Sequence, residues 1–312
     1  MERMKAAFLK TKAGPESFVF GELPLPELKA GEVLVKVHAS AITPTELQWV
    51  PTFTARSGAP RAFPIVLGHE FSGVIEALRG NVGDFQVGDA VYGLNDWFIN
   101  GSQAEYCAAA SSTIAAKPRS LDHVHAASVP ISVLTAWQAL IIRGKLWHRE
   151  RLLIHGAAGA VGIFAVQIAR DRGAHVIATA SAANHDFVES LGADEVIDYH
   201  TTRFDDVVRD VDLVFDTVGG ETLERSWKVL KSGGRMVTIA AQSERTTDQR
   251  VRDAFMLMEA NGAQLAEIAN VIDAGRRQAF VAAEYPLEQV REAYANAMRG
   301  GGRGKTVLRP MS

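Results

Sequence analysis

The sequence predicts an α/β protein built around a doubly wound parallel sheet, with a small antiparallel β-barrel beside it. Two observations carry that expectation. Residues Arg151–Arg170 read RLLIHGAAGAVGIFAVQIAR, an apolar run, a glycine turn and then a helical stripe. Residues 1 to about 118 instead hold many short strand candidates separated by turn signals.

In the first stretch, Leu152, Leu153 and Ile154 form a short run suited to a strand buried on both faces. Gly156, Gly159 and Gly162 then punctuate a turn. After it, Val161, Phe164, Ala165 and Ile168 fall at i, i+3, i+4 and i+7, the apolar stripe of a helix. Strand, glycine turn and helix in that order make a phosphate site. The first N–H groups of the helix lack internal partners, and glycine lets a pyrophosphate approach the backbone. The G-x-x-G-x-x-G spacing is one residue longer than the usual dinucleotide fingerprint, so the spacing alone is weak and a turn that merely packs helix on strand is the alternative.

Further strands follow at His175–Ala180, Glu195–Asp198, Val211–Phe215 and Gly234–Ala240, with a helix at His185–Leu191. Strands alternating with helices argue a parallel sheet, whose ligands sit outside the carboxyl ends of the strands. The loops after Ile154, Ala180, Phe215 and Ile239 are therefore expected to face one dinucleotide. An NAD site usually places a carboxylate at the end of the second strand to bind the ribose. Here that end reads Thr179-Ala180-Ser181, and Ser181, Asn184 and His185 offer hydrogen-bond donors. NADPH is the expected cofactor, although no Lys or Arg lies between Arg172 and Arg203 to clamp a 2′-phosphate.

At 312 residues two domains are the natural prior. A net charge of −3 and the lack of a basic block argue against a nucleic-acid protein. The N-terminus has no long apolar stretch and no run reaches membrane-spanning length, so cytoplasm is the default. One cysteine, Cys107, excludes internal disulfides and multi-cysteine metal sites. Glu32–Ser40 alternates as a half-buried strand, and Phe71–Ala77, Ala90–Tyr92, Ala104–Ala108 and Thr113–Ala116 are further candidates, together implying the barrel. Near the end, Gln264–Ala274 and Leu287–Arg299 read as helices, with strands at Phe280–Glu284 and Thr306–Leu308. This tail is expected to rejoin the first domain. The expected division is residues 1–125 with 263–312, and 126–262.

The motifs VLGHEFSGVI at Val66–Ile75, VGDAVYG at Val87–Gly93 and LTAWQAL at Leu134–Leu140 are followed by HGAAGAVG at His155–Gly162. DTVGG at Asp216–Gly220 and RGKTVL at Arg303–Leu308 complete the series. In this order and spacing the whole chain resembles a medium-chain dehydrogenase/reductase, specifically the zinc-independent quinone oxidoreductase (zeta-crystallin-like) branch. The resemblance implies a GroES-like β-barrel domain plus a Rossmann domain, an active site in the cleft between them, and a homodimer. With strand-end geometry it points to Thr135, Gly156, Ala158, Gly159, Ala160, Val161, Gly162, Ser181, Asn184, Tyr199, Val218 and Ala240 as cofactor-binding residues. Asn184 stands where NADPH-using relatives often carry Lys. Tyr199 is expected either near the adenosine or as an exposed loop residue.

Zinc-dependent relatives need three or four converging S or N ligands. Here the first ligand's segment reads Ile42-Thr43-Pro44-Thr45, His69-Glu70 keeps the second, and Val129–Val133 offers no third. No metal is expected, and His69 is read as lining the cleft by a hydrogen bond. His123 and His125 are read as solvated surface. Without a Lewis acid, alcohol oxidation is disfavoured, whereas a quinone or α,β-unsaturated carbonyl accepts hydride and carries the charge on its own oxygen. The expected activity is hydride transfer from NADPH to such a substrate, with no nucleic acid or membrane as partner. An enoyl or 2-alkenal reductase and a non-catalytic NADPH-binding regulator are the alternatives. Substrate-side candidates are Thr43, which donates to a carbonyl or caps a turn, and Trp49, which stacks on a planar ring or packs beneath its loop. His69 and Tyr92 complete the set, Tyr92 being a reluctant acid because a free phenol titrates near ~10. Arg303 and Lys305 in the terminal RGK either reach the cleft or lie in a solvated turn, the turn being the preferred reading.

Overall fold

The computed structural model describes residues 2–310. The chain divides into two compact units, Met1–Ile131 with Ala260–Ser312, and Ser132–Glu259. No helix of the described residues is long and apolar enough to cross a membrane.

In the first unit, β1 (Arg3–Leu9), β2 (Phe18–Pro24) and β4 (Ile65–Val66) form one antiparallel sheet ordered β2-β1-β4. The second sheet is centred on β3 (Glu32–Ala41) and β5 (Glu70–Arg79). It adds β6 (Ala90–Leu94), β7 (Tyr106–Ala110) and β8 (Ile114–Ala116). The alternation in Glu32–Ser40 has a physical cause: Val33, Val35 and Val37 point into a core with Phe71, Ile75 and Val91. β3 hydrogen-bonds both β5 and β7, which curls the sheet toward closure.

The second unit is a five-stranded parallel sheet. β9 (Arg151–His155), β10 (His175–Ala180), β11 (Glu195–Asp198), β12 (Val211–Asp216) and β13 (Leu230–Thr238) lie in the order β11-β10-β9-β12-β13. β9 is central because Leu152–Ile154 are apolar on both faces and fully buried. The order reverses between β9 and β12, so the carboxyl end of β9 lies at the topological switch point where ligands bind.

The C-terminal segment returns to the first unit. β15 (Lys305–Arg309) pairs with β3 through Val307↔Ala41 and Leu308↔Ser40, and β14 (Val281–Pro286) pairs with β15. The helix Val290–Arg299 buries Val290 and Tyr294 against Leu9, Phe18, Ile42 and Leu67. That helix therefore closes one face of the barrel, and the return of the chain places Lys305 inside it.

Candidate active site

The glycine turn after β9 is tightly determined. Gly156 has φ +72°, and a Cβ there would fall 2.4 Å from the Thr217 hydroxyl. A Cβ on Gly162 would fall 2.2 Å from the Gly156 carbonyl oxygen. Both positions need glycine, the first for its backbone angle and the second for close seating of the helix Ala160–Arg172. The cap residue Gly159 supplies no side-chain hydrogen bond to that helix. The first-turn N–H groups and the positive end of the dipole are thus left for a ligand, and the backbone around Ala158, Ala160 and Val161 carries no bulky obstruction. These residues fit the pyrophosphate of a dinucleotide.

The neighbouring strand ends are locked to this turn. Asp216, fully buried, accepts hydrogen bonds from the N–H groups of Val218 and Gly219 and from the Thr238 hydroxyl at 2.7 Å. Thr238 Oγ1 also accepts from Ala240 N at 3.2 Å, and Thr217 Oγ1 donates to His155 O at 2.8 Å. One carboxylate thereby fixes the loops after β12 and β13 that hold Val218 and Ala240. Val218 is 51% exposed and Tyr199 58%, apolar surface left bare at strand ends. At the end of β10, Asn184 Nδ2 donates to Ser181 Oγ at 3.1 Å, and no carboxylate intervenes. Thr135 is buried in the helix Pro130–Trp137.

Beneath the turn, His155 is buried with Nε2 2.9 Å from Ser226 Oγ and Nδ1 3.1 Å from Thr179 Oγ1. Ser226 spends its own hydrogen on Thr222 O, so His155 Nε2 carries the hydrogen and Nδ1 accepts from Thr179. The ring is neutral in this arrangement. Burial lowers its pKa to about 4, with Asp216 opposing and Arg225 reinforcing.

In the first unit, two buried charge networks flank the Gly68-His69-Glu70 segment. His69 Nδ1 lies 3.0 Å from Glu46 Oε2, which also accepts from Gly68 N at 2.9 Å. His69 Nε2 is buried without a hydrogen-bond partner, and its ring lies 5.2 Å from that of Trp97. Trp49 meets the same Trp97 edge-on, also at 5.2 Å. On the other network, Glu70 Oε2 accepts from Ile131 N at 2.9 Å and Oε1 pairs with the Lys305 ammonium. Lys305 also donates to Thr43 Oγ1 at 2.5 Å. Burial raises the Glu70 pKa, and Lys305 followed by the Ile131 N–H opposes the rise. These residues do not fit a zinc site. Among the described residues no three His, Cys, Asp or Glu side chains converge, Thr43 offers no thiol, and both Glu70 oxygens are engaged.

Residues 29–120 match the alcohol dehydrogenase GroES-like domain family and 191–308 the zinc-binding dehydrogenase family. A protein of Arthroderma benhamiae named "Probable zinc-binding oxidoreductase, mitochondrial" is 33% identical over 92% of this chain and 90% of its own. A mitochondrial NAD(P)H oxidoreductase of Mus musculus is 32% identical, covering 89% of this chain and 81% of its own. The quinone oxidoreductase structure from Coxiella burnetii superposes with a TM-score of 0.90 at 29% identity, over 99% of both chains. The chain belongs to the medium-chain dehydrogenase/reductase superfamily, in its quinone oxidoreductase-like branch. It is an oxidoreductase that uses a nicotinamide cofactor. The mitochondrial designation of two relatives means the family does not fix a cytoplasmic location.

Within this medium-chain dehydrogenase/reductase family member, several side chains differ from the sequence reading. Tyr92 is fully buried with its hydroxyl donating to Leu265 O at 2.7 Å, and burial raises the phenol pKa further. It ties the helix Gly262–Asp273 to the barrel, and its hydrogen is spent there and not on a substrate. Lys305 is not in a solvated turn: it is only 7% exposed, because β15 draws it inside, whereas Arg303 is exposed. His123 is not solvated surface either. It stacks on His38 at 4.4 Å and bonds Ser72 Oγ at 2.8 Å, and burial lowers its pKa to about 4, while His125 sits outside against Asp122. Glu46, Asp216 and Thr238 are site residues that the sequence reading does not single out, and Lys305 enters it only as able to reach the cleft. Asp216 inside DTVGG and Lys305 inside RGKTVL carry a sequence signal.

Two outcomes follow. Tyr92→Phe removes the tie to the Leu265 carbonyl, which sits inside a helix, and should lower unfolding free energy by about 0.5–1.5 kcal/mol in urea titrations, with kcat retained. For His155, the folded pKa lies below the unfolded value, so the unfolded state binds the proton more readily between them. Its contribution is therefore present above pH about 6.5 and lost as pH falls toward about 4, amounting to about 3 kcal/mol. Replacement by Gln should make the fall in unfolding midpoint across that window shallower.

Proposed function

We propose that this protein is an NADPH-dependent reductase that passes hydride to a quinone or related α,β-unsaturated carbonyl and requires no zinc. The observation that carries the reading is the glycine cradle at the switch point, joined to a first unit whose former metal-ligand position holds Thr43. When bound, the reduced nicotinamide supplies the hydride. The chain's own residues bind, orient and accept charge. Gly156, Gly159 and Gly162 admit the pyrophosphate, and Asp216 holds the Val218 and Ala240 loops in register. Ser181 and Asn184 donate to the ribose 2′-phosphate, a role supported by the missing carboxylate at the end of β10.

On the substrate side, Thr43, Trp49 and His69 are the proposed contacts. The Trp49–Trp97 pair offers aromatic surface to a planar ring, and His69 Nε2 offers a polar atom without a hydrogen-bond partner among the described residues. Lacking a Lewis acid, these groups favour acceptors that delocalise negative charge onto their own oxygen. The same reading keeps the cytoplasmic placement, supported by a single buried cysteine, Cys107, and the homodimer, supported by resemblance alone.

Fluorescence titration should show NADPH binding about tenfold or more tighter than NADH, since each tenfold is about 1.4 kcal/mol and a 2′-phosphate adds charge-assisted hydrogen bonds. Equal affinities would remove the role given to Ser181 and Asn184. NADPH oxidation with a panel of quinones and enals should survive exhaustive chelation. Activity lost on chelation and restored by zinc would contradict the reading of Thr43 and His69.

A further inference from the structure

The structure assigns Thr43 and Lys305 as a proton relay that neutralises the oxyanion formed on the substrate, with Lys305 as the positioning residue and proton reserve behind the Thr43 hydroxyl. The inference rests on the reductase reading above and names the proton source that reading lacks.

The hydrogen-bond inventory carries it. A threonine hydroxyl has one hydrogen to give and two lone pairs to receive. Thr43 Oγ1 receives from the Lys305 ammonium at 2.5 Å. Among the described residues its own hydrogen has one partner, Glu70 Oε1, at 3.4 Å. Hydroxyl hydrogen bonds run to about 3.0 Å, so that hydrogen is poorly used. Glu70 Oε1 is meanwhile occupied by Lys305, and Oε2 by Ile131 N. The hydroxyl is therefore supplied with a proton from behind while its own proton stays available. Exposure is graded in the same direction. Glu70 is fully buried, Lys305 nearly so, and Thr43 half-buried at the mouth of the network.

A buried lysine–carboxylate pair is a poor source of stability, since desolvation cancels much of the attraction. Placed behind a hydroxyl, the pair has a chemical use. With an enone, hydride adds to the β-carbon, the C=C π pair shifts, and the carbonyl oxygen becomes an enolate. The Thr43 Oγ–H proton passes to that oxygen, and the threonine oxygen takes a proton from Lys305 Nζ. Lys305 is reprotonated by solvent water, and the enol tautomerises to the ketone. With a quinone the same proton goes to the hydroquinone anion. In either case one hydride and one proton are added to the acceptor. Glu70 changes neither charge nor bonding in the sequence; it holds the ammonium toward Thr43.

Thr43→Val, nearly isosteric, tests this with NADPH and both acceptor classes. The expected result is a fall in kcat of about 100-fold, the usual worth of a positioned acid, with KM and NADPH affinity within about threefold. Thr43→Ser should regain most of the loss. Lys305→Met paired with Glu70→Gln, which avoids an orphaned buried carboxylate, should slow kcat in wild type but add nothing to Thr43→Val. Thr43→Val with kcat within about twofold of wild type, or losses that multiply in the combined variant, would overturn the relay. A wild type that oxidises NADPH with neither acceptor class overturns the reductase reading and the relay together. An active wild type unaffected by Thr43→Val overturns the relay alone.

Discussion

The contact on which the second unit depends is the seating of one helix against one carbonyl. The Gly162 Cα sits so close to the Gly156 oxygen that any side-chain atom would collide at 2.2 Å. That closeness fixes where the helix starts relative to β9, and therefore where its unsatisfied N–H groups point. The strand order then sets this point at the place where the sheet reverses direction. Asp216 and Thr238 pull the adjacent loops onto the same spot. A cradle that fits a nucleotide thus arises from backbone constraints, with Asp216 fixing the loops beside it.

The first unit solves a different problem, the burial of ionisable groups against one another. Glu46 engages His69 Nδ1 and leaves Nε2 without a partner among the described residues, and Gly68 N–H takes part of the carboxylate's remaining capacity. Glu70 and Lys305 pair beside Thr43. Such pairs contribute little net stability, because the cost of leaving water offsets their attraction. Breaking one partner would nonetheless be costly, which makes the arrangement rigid. Rigidity of polar groups in a dry environment is what hydride acceptors need from a protein once the cofactor supplies the reducing power.

Much of this was legible from the residues. A strand buried on both faces announces itself as an apolar run, so His175–Ala180 emerges with the bounds read from sequence; the edge strand Glu195–Asp198 and the helix His185–Leu191 keep theirs as well. β13 starts at Leu230 rather than Gly234, because Ser232-Gly233-Gly234 reads as a turn but forms an irregular stretch of the strand with a register shift. β1 and β2 were not read at all; Phe18–Pro24 contains Gly21 and Pro24, which break the alternation. The site residues divide similarly. The glycine turn is local and was visible, whereas Glu46 meets His69 across 23 positions and Lys305 meets Glu70 across 235. Pairings at such separations leave no mark on local pattern, and the second arises only because β15 returns to β3.

The central claim is that a nicotinamide, held by the glycine cradle, reduces a conjugated acceptor directly and without zinc. Its most direct test follows deuterium from C4-labelled NADPH into product, using metal-stripped protein and mass spectrometry of an enone reaction. The expected result is one deuterium bound at the β-carbon of the saturated ketone. Unlabelled product, or label transfer that appears only after zinc is restored, would contradict it.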